Sequence, residues 1–266
     1  MTVMRPYQAI FMARFRLLLQ YRAAALAGLG TQIFFGVVLV AVMRAFYREA
    51  DAVQPLDVGQ VVSYVWLGQA FFSLLPWRGD PDITALVRSG GVAYELLRPV
   101  HLYGLWFVRA VAMRTAPVML RALPLLVLAW AMLGLEPPAS AEAAGLWLGA
   151  LAGAVALSAA FTVLLNLSLL WTLSGEGLTL LMPVVVTLGS GLLLPLPLFP
   201  DWLQPLLQVL PFRGLMDAPH RIYLGELAGA QAGAALLHQW LWTAALTLGG
   251  MAALRRGLGR LVVQGG

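Results

Sequence analysis

The side chains able to do chemistry are few. All 17 basic residues are Arg, and the chain contains neither Lys nor Cys. Without Lys there is no Walker A loop, whose Lys reaches the β/γ-phosphates, and no Schiff-base lysine. Any ATP chemistry linked to this chain must therefore sit on another polypeptide. Without Cys there is no disulfide, iron–sulfur cluster or thiolate zinc site. His101, His220 and His238 lie far apart, with no HExxH and no His pair at i, i+4, so no metal site is expected. Ser190 and His238 are candidates for the nucleophile and base of a membrane-embedded serine protease. However, Gly189-Ser190-Gly191 lacks the Gly-x-Ser-Gly order of rhomboid-like proteases, and no second span carries a paired motif. No catalytic residue is expected.

Two other groups of residues have functional spacing. Ser158, Thr162 and Asn166 form one polar stripe in an apolar run, and Thr179, Pro183, Thr187 and Ser190 form another. Such stripes line a translocation path, hydrogen-bond across helices, or bond their own backbone. Ser158, Thr162, Asn166, Thr179, Thr187 and Ser190 are the candidate pathway residues. The other group lies in the segment from Asp80 to Gly91. Asp80 can cap a helix, Pro81 suits its first position, and Gly90 suits the left-handed residue past its end. Ile83, Leu86 and Val87 then share one apolar face of a two-turn helix. That face needs a cover, either a protein partner or lipid headgroups.

The elements that hold these residues are membrane helices. Hydrophobic residues make up 61% of the chain and charged ones 11%, a balance that a water-soluble surface cannot carry. The apolar residues fall into runs of about 20, the length that crosses a bilayer core. Six spans are expected, at about 24–46, 58–77, 117–134, 143–172, 177–196 and 230–254, in one membrane domain covering 1–266. Arg109, Arg114 and Pro117 predict an interfacial first half to the third span, with a turn into the membrane near Pro117. Arg121, inside that span, either snorkels to the interface or faces a polar cavity.

Flanking features complete the reading. Tyr7, Phe11, Phe15 and Leu18 share a face among Arg5, Arg14, Arg16 and Arg22, which predicts an amino-terminal interfacial helix. Gly145, Gly149 and Gly153, and again Gly225, Gly229 and Gly233, have the four-residue spacing that lets helices approach closely. The six prolines between Pro195 and Pro219 forbid a continuous helix. Short re-entrant or interfacial helices are expected before the last span, with Asp201 and Trp202 at the headgroup level. Arginines cluster in the leader, in 78–114 and in the tail at Arg255, Arg256 and Arg260, all on one side of an even-numbered bundle. Both termini are therefore expected in the cytoplasm. The net charge of +5 is spread over short inter-helix segments, so no nucleic-acid partner is expected.

Two stretches resemble a known family. Residues 83–100, ITALVRSGGVAYELLRPV, are similar to the cytoplasmic segment of ABC type 2 permeases, in the branch related to viologen and daunorubicin exporters. Residues 193–219 are similar to that branch's Phe-Pro-x-Trp-Leu and Pro-Phe signature, here Phe199-Pro200-Asp201-Trp202-Leu203 and Pro211-Phe212. The resemblance implies an all-α permease of a bacterial inner membrane, half of an ATP-binding-cassette exporter. It would pair with a second permease chain, itself or a paralogue, and with a separate ATPase that holds the ATP and Mg. This chain would need no cofactor. The amino-terminal helix and the cytoplasmic helix would dock the ATPase, through Ile83, Leu86, Val87, Arg88, Tyr94, Glu95 and Arg98. Pathway residues vary across the family, so the resemblance assigns none here. The expected cargo is amphipathic or hydrophobic, such as a drug in multidrug efflux, a lipid or a glycan precursor. A secondary transporter would need an acidic residue or His at the centre of a span. Glu176 instead lies at a cytoplasmic turn. A membrane enzyme would need a convergent catalytic set, and the polar residues supply none.

Overall fold

The computed structural model describes residues 4–50, 54–171 and 176–259, and every regular element among them is helical. The chain forms α1 (Met4–Leu19), α2 (Arg22–Glu49), α3 (Val58–Ala70), α4 (Pro81–Arg88), α5 (Val92–Leu96), α6 (Leu102–Leu128), α7 (Ala141–Ser168), α8 (Glu176–Gly189), α9 (Gln204–Val209), α10 (Asp217–Tyr223) and α11 (Gly229–Leu258). Arg260 and residues 172–175 lie outside the described residues.

Helix starts follow local chemistry. Asp57 and Gln60 form a reciprocal capping box at α3: the Gln60 N–H donates to Asp57 Oδ1 at 2.8 Å and the Asp57 N–H to Gln60 Oε1 at 2.9 Å. Ser140 caps α7, accepting from the Ala143 N–H at 3.0 Å, and Glu142 places negative charge in its first turn. α7 is the hub, with its middle and second half buried against α6, α10 and α11. Among the described residues, three helices are long and apolar enough to cross a membrane: α2, α6 with the π-turn that follows it, and α7. α3 and α8 are shorter, and α11 carries Gln231, His238, Gln239, Trp240 and Trp242 among its apolar residues.

The expected turn at Pro117 is not there. α6 is continuous from Leu102 through both Pro117 and Pro124. A proline removes one backbone donor, but α1 and α7 pack along this helix and hold its direction. α8 also stops earlier than its apolar run, at Gly189. Ser190 follows, and Gly191 turns the chain at φ +84°. A Cβ on Gly191 would lie 2.2 Å from Tyr64 Oη, so both backbone angle and space require glycine.

The glycine series is used differently from its spacing. Gly145, Gly149 and Gly233 face open space; Gly153 makes a close approach, its Cβ position being 2.7 Å from Gln239 Oε1, as does Gly225, 2.7 Å from Ala139 Cβ. Gly225 serves a turn at φ +80°, and Gly229, at φ +50°, opens α11. The tight helix crossing is elsewhere, at Gly36 on α2, where a Cβ would meet the Trp66 ring of α3 at 2.3 Å. Gly36→Ala is expected to destabilise the chain by about 1–3 kcal/mol through overpacking. In a Trp66→Leu background the same Gly36→Ala substitution should cost less, read as the change in thermal midpoint in detergent. An equal Gly36→Ala loss in both backgrounds would refute the collision.

Residues 194–216 form short pieces as the prolines require, at Leu196–Leu198, α9 and Pro211–Leu215, and α10 follows. Gln204 Nε2 donates to the carbonyls of Leu196 (2.7 Å) and Phe199 (2.9 Å). Gln239 Nε2 donates to Gly214 (2.7 Å) and Ala150 (3.0 Å), tying α11, this segment and α7 together.

Candidate functional site

At one end of the bundle α1, α4, α5 and α6 converge on Asp80, whose side chain is fully buried. Arg14 of α1 reaches its Oδ1 at 3.1 Å, and Arg109 of α6 donates to Oδ2 from Nε at 3.2 Å and from Nη2 at 3.1 Å. The Asp82 N–H donates to Oδ1 at 3.0 Å, so the same carboxylate caps α4. Asp82 meets Arg14 at 2.5 Å and Arg109 at 3.4 Å. Arg109 also lies 3.6 Å from Glu95 of α5, which is buried and accepts from Trp106 Nε1 at 2.7 Å. Two guanidinium groups and three carboxylates thus lock four elements together, with most of the charge shielded from solvent. Tyr7 adds a second tie from α1, its hydroxyl accepting the His101 N–H at 3.0 Å.

The apolar face of α4 turns inward. Ile83 is wholly buried, in a cluster with Val92, Trp106, Val163, Leu167 and Leu254, and Leu86 and Val87 are half-buried against it. The sequence reading had this face waiting for an external cover. The chain's own α6, α7 and α11 supply it, so Ile83 is not a contact surface and Leu86 and Val87 are only partly one. Glu95 is likewise internal. Outward lie Arg88, Tyr94, Leu97 and Arg98, with Tyr94 77% and Leu97 81% exposed.

The α7 stripe closes onto the link between α3 and α4. Ser158 donates its hydroxyl to the Leu74 carbonyl. Arg114, buried in α6, donates to the carbonyls of Leu75 (2.8 Å) and Arg78 (3.1 Å) and to Thr162 Oγ1 (2.8 Å). Asn166 Oδ1 accepts the Asp80 N–H at 2.8 Å. Gly79 passes so close that a Cβ there would lie 2.2 Å from that oxygen. Ser158, Thr162 and Asn166 therefore hold an internal strand of backbone instead of lining an open path.

The second stripe does not act as a unit. Thr179 is exposed, Thr187 donates to its own helix at Pro183 (2.6 Å), and Ser190 is buried. His238 is not beside Ser190: its Nε2 meets the Val209 carbonyl at 3.1 Å and its ring lies against Trp242. At that end of the molecule Tyr64 donates to Asp217 Oδ1 at 3.1 Å, and Arg221 lies 3.7 Å from Oδ2. Burial pushes the Asp217 carboxyl up while Arg221 and Arg213 pull it back. Burial lowers His220 to about 3, so its ring is neutral near pH 7.

Sequence reasoning missed Asp80 as the hub, its partners Arg14 and Arg109, and the grip of Arg114. The available signal was Arg14 itself, set at the edge of the apolar stripe of α1 where a lipid-facing helix gains nothing from it. No curated protein and no solved structure matches the chain. A family model, ABC-2 family transporter protein, matches residues 27–265, from within α2 through α11. The chain belongs to the ABC-2 transporter family, whose members are membrane subunits of transporters with the ATPase on a separate subunit.

Proposed function

We propose that the chain is the permease subunit of an ATP-binding-cassette exporter that moves an amphipathic or hydrophobic molecule outward. The observation that carries this reading is the Asp80 clamp, which fixes the exposed α4–α5 surface rigidly to α1 and α6. The ATPase docks on that surface, through Arg88, Tyr94, Leu97 and Arg98 with the half-buried Leu86 and Val87 at its edge. Closure of two ATPases on ATP then displaces α4. Because Asn166, Thr162 and Ser158 hold the link from α3 to α4, the displacement reaches α3 and α7 together. A nucleotide shifts only an equilibrium whose two states its subunit binds differently, and this link gives the two states a mechanical difference.

The membrane arrangement belongs to the same proposal. α2, α3, α6, α7, α8 and α11 are the six spans, with α1, α4 and α5 in the cytoplasm of a bacterial inner membrane and α9 and α10 at the outer face. The short α3 and α8 are completed by irregular backbone buried in the protein, as hydrocarbon requires. Outward-turned Phe34 and Phe46 on α2, Leu123 on α6, Trp130 on the π-turn after it, and Leu180 on α8 meet lipid. Trp202, 78% exposed, sits at the outer headgroups. A second permease chain completes the pathway.

Affinity purification in mild detergent tests the reading directly. An ATPase subunit should co-purify in equal amount with the permease. Leu97→Asp should weaken that association by about 2 kcal/mol, some thirtyfold, as loss of a central apolar contact does. Leu97 separates docking from folding in a way that Leu86, packed inside, does not. Unchanged association would remove this surface from the interface. An intact chain with no ATPase would point to a secondary transporter or a membrane enzyme.

A further inference from the structure

A cavity of about 520 Å³ opens between α2, α3, α6, α8 and the chain following α8. Most of its lining is apolar, including Phe35, Val38 and Leu39. Two polar groups in it have unmet hydrogen-bonding capacity. Gln32 is only 5% exposed, and neither its Oε1 nor its Nε2 has a hydrogen-bond partner. Arg121 lies across Gly28, where a Cβ would be 2.6 Å from its Cζ; its Nε has no partner, and its Nη2 reaches only the Ala24 carbonyl, at 3.5 Å. Arg121 is the charged residue of the lining, and no carboxylate is among the lining residues.

Position along α2 orders these groups. Arg121 sits beside Gly28, Gln32 is one turn further on, and Val38 and Leu39 follow roughly 10 Å beyond at 1.5 Å per residue. Along α2, charge and hydrogen-bonding capacity are therefore at one end and hydrocarbon at the other. A buried amide without partners is rare because its desolvation is uncompensated. An occupant with an acidic head would satisfy Gln32 Nε2 and the guanidinium together, and its chain would fill the apolar end.

We infer that this cavity binds an anionic amphiphile, with a phosphate or carboxylate head on Arg121 and Gln32 and an alkyl chain along Phe35, Val38 and Leu39. The inference rests on the permease reading, for which it names the substrate class. Arg121 thus faces a cavity whose lining is mostly apolar.

Trp77 also lines the cavity, so it reports occupancy. Dodecyl phosphate brominated on its chain is titrated into the purified full-length permease, and the signal of a Trp77→Phe variant is subtracted. Brominated dodecyltrimethylammonium is the cationic control. The phosphate should quench Trp77 saturably, at a concentration about tenfold or more below the cation, the factor expected for a hydrogen bond to a charged group. Arg121→Gln should abolish that preference and Arg121→Lys should keep it, which separates charge from misfolding. Displacement of the probe by phosphatidylglycerol in nanodiscs would identify the anion as a bilayer lipid. Resistance to it would identify a free single-chain amphiphile, and both support the site. Equal quenching by the cation, or a preference that survives Arg121→Gln, overturns it. So does the absence of quenching with disulfide-linked dimers of Val38→Cys, which would give the cavity to a second copy of the chain. Binding is read without the ATPase, so its failure leaves the co-purification result standing.

Discussion

Asp80→Asn should destabilise the α1–α4–α6 end of the bundle by about 3–5 kcal/mol, the cost of removing one partner from a buried ion cluster. The carboxylate is fully buried, and Arg14 and Arg109 are 16% and 15% exposed at their side chains. Without it the two guanidinium groups face each other, with only Asp82 left to share between them. Asn is as good a helix cap as Asp, and the backbone N–H that reaches Asn166 is unchanged. The loss is therefore one of charge, with helix initiation preserved. Released from Asp80, α1 should lift from α6, and trypsin should cut faster at Arg14 and Arg16. Asp82→Asn is the control: with its side chain 57% exposed, it should cost only about 1 kcal/mol or less. Combining Asp80→Asn with Arg109→Gln should cost less than the sum of the two, because they share one interaction. Additive losses, or unchanged proteolysis, would show that the cluster does not clamp α1.

The contrast between these aspartates shows where the sequence stops informing. Capping by Asp80, Pro81 at the first position and the left-handed Gly90, observed at φ +73°, are local rules, and they place α4 correctly. The helical class and the long apolar helices follow from run length in the same way. Which way the face of Ile83, Leu86 and Val87 turns is not local. Periodicity puts three residues on one face and is silent on whether lipid, a partner or the chain's own α7 covers it. The charge cluster is still less visible, since Arg14 and Asp80 are 66 residues apart. Hydroxyl spacing in the α7 stripe encodes pathway lining, helix-to-helix bonds or bonds to the helix's own backbone. Thr162 does bond across helices, to Arg114 of α6, and to its own backbone at the Ser158 carbonyl. Ser158, however, donates to the Leu74 carbonyl and Asn166 accepts the Asp80 N–H, and such main-chain partners between α3 and α4 leave no mark in a sequence.

That same backbone makes Arg114 the second position of large expected effect. α3 ends at Ala70, and the chain then runs through apolar surroundings to α4 with its carbonyls needing donors. Ser158 serves Leu74, and Arg114 serves Leu75 and Arg78. Arg114→Met removes a buried charge, which by itself would be favourable, but the two carbonyls are main-chain groups and cannot be removed with it. The Leu75 carbonyl keeps the Trp77 N–H at 2.9 Å, but the orphaned Arg78 carbonyl costs about 1–3 kcal/mol, and Thr162 loses its donor as well. We therefore expect Arg114→Met to lower the thermal midpoint and to speed amide hydrogen exchange across 75–82 about tenfold or more. Arg114→Lys should recover only part of this, because an ammonium is a point charge where the guanidinium fork spans two acceptors. In the assembled complex, ATP hydrolysis should persist while transport falls, since the link carrying motion from α4 to α3 has lost its grip. Normal exchange in Arg114→Met would mean that Leu75 and Arg78 find other donors. Normal exchange together with normal transport would place the coupling outside this link.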